Sequence, residues 1–200
     1  SGTFRENINP AFELAYWSWG LKKANDWRER MGRERNADWD RIADQMAPWP
    51  VVNGVYVEAE SVLEKDGGHP TQLAAYGFLP ASAYLDKEVM RKTLRHVLDN
   101  WDWADTWGWD FPLIAMTAIR LNEPEWALEA LLKSVQKNTY LPNGHNFQNE
   151  GLPLYLPGNG GLLTVVAMMC AGWDGCTEGN PGFPKNGLWN VKWEGLKPAF

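Results

Sequence analysis

Trp101, Trp103, Trp107 and Trp109 alternate with Asp102, Asp105 and Asp110 in one short stretch of chain. That combination suits a particular chemistry. An indole offers a flat apolar face that stacks on the C–H face of a sugar, and a carboxylate beside it takes hydroxyls or moves protons. The chain carries 13 tryptophans in 200 residues. A core has no need of such rings beside charges in a polar loop. A single Trp is as readily expected to fill space between large helices, so the sugar reading belongs to the cluster.

Hydrolysis at an anomeric centre needs two carboxyls flanking the bond, one protonated and one activating water or attacking. The loop carboxyls are Glu6, Glu58, Glu60, Asp105, Asp110 and Glu150, of which Glu6, Glu58 and Glu150 are the acid–base candidates. Glu58 and Glu60 alternate along an extended segment and so share a face, a pattern a solvated hairpin also gives. Asp110 either contacts substrate or caps the helix that begins at Phe111. Asn149 and Glu150 end the run Asn146-Phe147-Gln148-Asn149-Glu150, a polar stretch without helical or strand period. It is either a loose loop or a hydroxyl-binding wall. His69, after Gly67-Gly68 and before Pro70, stands at a helix entrance and is a candidate sugar contact. Asn159, between glycines, either presents its amide to substrate or serves a turn. His96 falls on a charged helix face and reads as exposed, and His145 stays open. Trp107 and Trp109 are the stacking candidates. No His, Asp or Glu set has metal-ligand spacing, and Gly158-Asn159-Gly160-Gly161 lacks the Lys-Ser/Thr of a phosphate loop. Neither metal nor cofactor is expected.

The elements that must position these groups are mostly helical. Asn9-Pro10 opens a first helix as N-cap and first turn, and Gly32 closes it. Further helices are predicted over 38–46, 70–78, 86–98, 110–121, 124–135 and 161–171, with a small hairpin around Asn53-Gly54. The segments 70–78, 110–121 and 161–171 are apolar almost all round, which predicts burial, whereas 38–46, 86–98 and 124–135 carry one apolar stripe and a charged face. Alternating inner and outer helices predict a curved or closed α/α array, with the aromatics and carboxylates in the loops that enter the inner helices.

Composition narrows the function. The 25 acidic and 19 basic residues give a net charge of −6, and without a basic patch nucleic acid is not an expected partner. No segment approaches the ~20 apolar residues of a membrane span. Cys170 and Cys176 are compatible with a pair or with free thiols, and do not decide the compartment.

Five segments, in order, resemble the six-hairpin (α/α)6-toroid glycoside hydrolases, most of all family 95 (α-L-fucosidases and α-L-galactosidases) and more distantly the family 65 phosphorylases. They are 9–30 with its Trp-Arg-Glu-Arg-Met-Gly ending; His69-Pro70-Thr71-Gln72-Leu73-Ala74-Ala75-Tyr76; 107–127; Pro157-Gly158-Asn159-Gly160-Gly161; and 187–196. The last is similar to the strand that leads into those enzymes' C-terminal β-sandwich. The resemblance implies glycosidic hydrolysis by inversion, an active-site role for His69, and water activation by Asn159 with a carboxylate. Two departures stand out: Pro157 occupies the place of a catalytic aspartate, and only Glu6 comes near the place of the general acid. The match covers the C-terminal half of a toroid.

The expectation is therefore an all-α chain: a partial toroid of about seven helices over 1–180, with a small hairpin, and an extension over 181–200 that forms a strand. Its substrate would be a carbohydrate. Its partner would be a second copy or an N-terminal half, because half a ring exposes apolar inner helices. A non-catalytic glycan-binding or toroid-completing module is the alternative. A full-length enzyme with a signal peptide would be periplasmic or secreted.

Overall fold

The computed structural model describes residues 7–62 and 66–199. Among them the fold is mostly α, with two small antiparallel hairpins. Helix α1 spans Ala11–Arg30, α2 Ala37–Asp44, α3 Ala74–Gly77 after a 3-10 turn at Thr71–Leu73, and α4 Lys87–Asn100. Helix α5 follows over Asp110–Arg120, α6 over Pro124–Leu131 and α7 over Leu156–Ala171. Strands β1 (Val51–Val52) and β2 (Val55–Tyr56) pair Val51 with Tyr56 across the Asn53-Gly54 turn. Both turn residues have positive φ, 51° and 81°, as a tight hairpin turn of this kind demands. Strands β3 (Thr139–Tyr140) and β4 (Asn146–Phe147) form a second hairpin that the pattern did not suggest.

Local chemistry sets most boundaries. Asn36 caps α2 by accepting from the amides of Asp38 and Trp39, and Asp86 caps α4 through those of Glu88 and Val89. Gly32, at φ 70°, lets the chain turn back at the end of α1, and the Arg33 amide donates to Arg28 O. Asn9 is not the N-cap expected. Pro10 holds that position with no side-chain cap, and the Asn9 amide donates to Glu60 Oε1 instead.

Helix α5 is buried along its whole length. Around it, α1 packs on α3, α3 on α5 and α5 on α7, while α2 lies on α1 and α6 on α5. Leu73, Leu94, Leu113, Ile114, Ile119 and Met169 are among the largest fully buried side chains of the described residues. No helix among the described residues is long and apolar enough to cross a membrane.

Three expectations need correction. Helix α7 starts at Leu156, so Gly158-Asn159-Gly160-Gly161 is helical rather than a loop before the helix; Pro157 in the first turn is the position proline tolerates best. Its apolar sequence does not bury it all round, since Leu163 keeps 73% of its surface exposed. And 187–196 forms no strand: near the end of the C-terminal extension Ala199 makes an isolated parallel bridge with Trp173. At the start of that extension Pro181, Gly182 and Pro184 are buried, and the Gly182 amide donates to Met169 O of α7. The thiols of Cys170 and Cys176 are both free.

Candidate functional site

Gly67 and Gly68 bring His69 close to the loop that enters α5. Gly68 has φ 71°, and its carbonyl accepts the Trp101 indole N–H at 3.0 Å. Asp66 O accepts the Asp102 amide at 2.7 Å. With the two loops clamped, His69 Nδ1 lies 3.0 Å from both oxygens of Asp110.

Asp110 is the first residue of α5 and is wholly buried. Its Oδ2 also accepts the backbone N–H of Trp107 at 2.8 Å, while its own amide donates to Trp107 O. The carboxylate thus reaches back to an upstream amide, as the third residue of a capping box does, rather than forward into the helix. Burial pushes its pKa above the usual 3.8, opposed by the hydrogen bonds from His69 and Trp107. A carboxylate accepts only, so an ionised Asp110 makes Nδ1 the donor and leaves Nε2 of His69 as the open nitrogen. The His69 side chain is 38% exposed.

Two indoles flank the imidazole. The Trp109 ring lies 4.8 Å from it and the Trp107 ring 6.4 Å, centroid to centroid. Trp107 is 37% exposed, meets Tyr155 at 5.3 Å and has Lys137 Nζ 5.3 Å from its ring. Trp109 leans on Phe78 and closes a cavity of about 340 Å³ with Met116, Pro157 and Met168. The other two tryptophans of the run are structural. Trp101 is buried, and Trp103 stacks on Phe111 at 5.8 Å.

An amide network holds this loop in place. The Gly108 amide donates to Gln148 Oε1 at 3.0 Å, and Gln148 Nε2 donates to Lys137 O and to Asn146 Oδ1. Asn146 Nδ2 donates to the carbonyls of Lys137 and Thr139. Gly108 must be glycine here, because a Cβ would run into the Asn146 side chain.

The structure thus joins His69, Trp107, Trp109 and Asp110, and adds Tyr155, Lys137 and Phe78 that the sequence reading missed. It does not join the rest. Asn159 accepts the Asn146 amide through Oδ1 and donates to Gly144 O through Nδ2, so both ends of its amide are occupied within the fold. Asn149 and Glu150 are exposed in a turn closed by the Leu152 amide on Asn149 O. Glu58 lines a separate cavity of about 360 Å³ with Asp66, Gln72, His96 and Trp101. His96 in it is not simply solvated, since Nε2 lies 2.7 Å from Asp66 Oδ1. Glu6 lies outside the described residues. A signal for the network existed: Asn146 and Gln148 are fully buried on either side of the partly exposed Phe147, a strand alternation with its polar residues inside.

Comparison with protein-family models gives no match to this chain, and no curated protein matches it either.

Proposed function

We propose that the face formed by His69, Trp107, Trp109, Asp110 and Tyr155 binds carbohydrate, in a chain that is a portion of an α/α-toroid glycoside hydrolase. One observation carries the reading: an imidazole fixed by a buried carboxylate stands between two indoles, one of them 37% exposed. Sugar rings are bound by apolar stacking plus a few oriented hydrogen bonds. Trp107 supplies the stacking face, His69 Nε2 the oriented polar group, and Lys137 a cation beside it. The packing order supports the partial toroid: α1 lies on α3, α3 on α5 and α5 on α7, with α2 on α1 and α6 on α5, and the candidate residues sit at the entrances of α3, α5 and α7.

Hydrolysis by inversion asks for two carboxyls roughly 6.5–9.5 Å apart. Asp110 is wholly buried behind His69, Glu58 lines another cavity and Glu150 sits in an exposed turn. That placement favours a second reading, a glycan-binding module without turnover of its own.

A panel of fucosides, galactosides, glucosides and plant or host oligosaccharides separates the readings. Binding is followed by NMR shift perturbation, and turnover by the released sugar and its first anomer. Trp107→Ala is expected to weaken binding about tenfold or more while the fold persists. Turnover supports the hydrolase, and binding alone supports the module. A folded wild-type chain that binds no glycan overturns both.

A further inference from the structure

Lys133 and Lys137 stand on the segment between α6 and β3, and each lays its ammonium on a tryptophan of the loop that enters α5. Lys133 Nζ is 4.4 Å from the centre of the Trp103 ring, and Lys137 Nζ is 5.3 Å from that of Trp107. Neither ammonium has a carboxylate partner among the described residues. Arg35, Arg91 and Arg95, by contrast, pair with Asp40, Glu123 and Glu129. An indole covers one side of an ammonium and leaves its remaining N–H groups open to an acceptor.

The fold fixes where Lys137 stands. Its carbonyl accepts from Gln148 Nε2 at 3.1 Å and from Asn146 Nδ2 at 3.2 Å, and both amide side chains are fully buried. Lys137 also lines a cavity of about 270 Å³ with Trp103, Ala104, Val135 and Gln136, so one residue joins that cavity to the Trp107 face. Tyr155, in ring contact with Trp107, adds a donor there. Burial and the charge of Asp110 hold its pKa above the usual 10, and a phenol that keeps its hydrogen donates it. The acids of the loop are engaged elsewhere. Asp110 is held by His69 and the Trp107 amide, and Asp102 and Asp105 lie beside Gly67.

We propose that the glycan taken by this face is acidic, and that Lys137 selects it by pairing with a carboxylate or sulfate group on the sugar stacked against Trp107. Lys133 meets a further such group along the same loop. The inference rests on the carbohydrate reading and names the substrate class within it. A neutral sugar needs a stacking face and oriented hydrogen bonds, but no cation. Two ammonium groups without acids, side by side on one loop, make a positive strip in a protein of net charge −6. That strip is complementary to a glycan with negative groups at intervals along its chain. Each contact is a charge-assisted hydrogen bond, stronger than the neutral kind that a hydroxyl makes.

Calorimetric titration of the chain with two matched pairs of oligosaccharides tests it, with circular dichroism to verify that each variant is folded. One pair is an oligogalacturonide and its carboxyl-reduced form, the other a sulfated fucan oligosaccharide and its desulfated form. In at least one pair the acidic member is expected to bind about tenfold or more tighter at low salt. The gap is expected to close as sodium chloride rises toward about 1 M. Which pair responds separates carboxylate from sulfate. Lys137→Gln keeps the backbone contacts and is expected to remove most of the gap, whereas Lys137→Arg is expected to keep most of it. Lys92→Gln, at an exposed position of α4, changes the net charge equally and is expected to leave the gap in place. Neutral members that bind as tightly as the acidic ones overturn the acidic preference and leave the carbohydrate reading standing. So does a gap that Lys92→Gln narrows as much as Lys137→Gln does. A folded chain that binds none of these oligosaccharides overturns both.

Discussion

Asp110 and Trp109 each serve two ends at once. Asp110 orients His69 and also ties the Trp107 amide to the start of α5. Because burial raises its pKa, folding favours the neutral form more than the unfolded chain does. The stabilisation from that preference is present at low pH and declines as pH rises through the raised value. Asp110→Asn keeps the shape without the charge. The stability of the wild type relative to this variant is therefore expected to fall as pH climbs above about 4; urea unfolding of both proteins at several pH values measures it. Trp109 touches both the candidate site and the core through Phe78. Trp109→Ala is expected to cost about 2–3 kcal/mol of stability as well as binding. The exposed Trp107 is the cleaner probe: its removal is expected to cost no more than about 1 kcal/mol. Thermal unfolding distinguishes the two.

At the scale of elements, the hairpin β3–β4 is what keeps the Trp107–Trp109 loop in position. It does so through side-chain amides, since Gln148 receives the Gly108 amide and gives its own N–H groups to Lys137 and Asn146. Gln148→Ala leaves the Gly108 N–H and Asn146 Oδ1 short of a partner in a buried place. The expected loss is about 2–3 kcal/mol, read by denaturant unfolding, with Trp107 fluorescence shifting toward that of a solvated indole. This element was poorly legible beforehand. A strand that buries Asn and Gln inverts the usual alternation, so no apolar period marks it. The strongly patterned helices α1, α2, α4 and α5 were legible, and so was the Asn53-Gly54 turn, because each is decided by neighbours a few residues apart. Helix α7 began earlier than its glycines suggested. Pro157 suits a first turn, and packing of α7 on α5 outweighs the helix-weakening effect of Gly158, Gly160 and Gly161.

Across the whole molecule, one hydrophobic cluster joins Ala11 and Ala15 of α1, Leu73 at the entrance of α3, Met90 and Leu94 of α4, Ile114 and Ile119 of α5, and Val165 and Met169 of α7. A single shared core predicts cooperative unfolding. Far-ultraviolet dichroism and tryptophan fluorescence are expected to give coincident transitions, and separated midpoints would mean that the core comes apart in pieces. Helix α7, which carries no charge, meets solvent along one side. Its exposure was not visible from composition, because an all-apolar helix reads as buried until the neighbours on each side are known.

What the amino-acid sequence determined by itself was local: helix starts and stops, the tight turn, the amphipathic faces, and the gathering of Trp107, Trp109 and Asp110 on one short loop. These depend on backbone preferences and on side chains separated by one helical turn or less. Only the tertiary structure decided which distant groups meet. It joined His69 to Asp110 across 41 residues, gave Asn159 to the fold, separated Glu58 and Glu150 from the indoles, and left one stripe of α7 uncovered. Such contacts depend on the packing of α3, α5 and α7 and on where each loop is clamped, and no spacing within the chain encodes that arrangement directly.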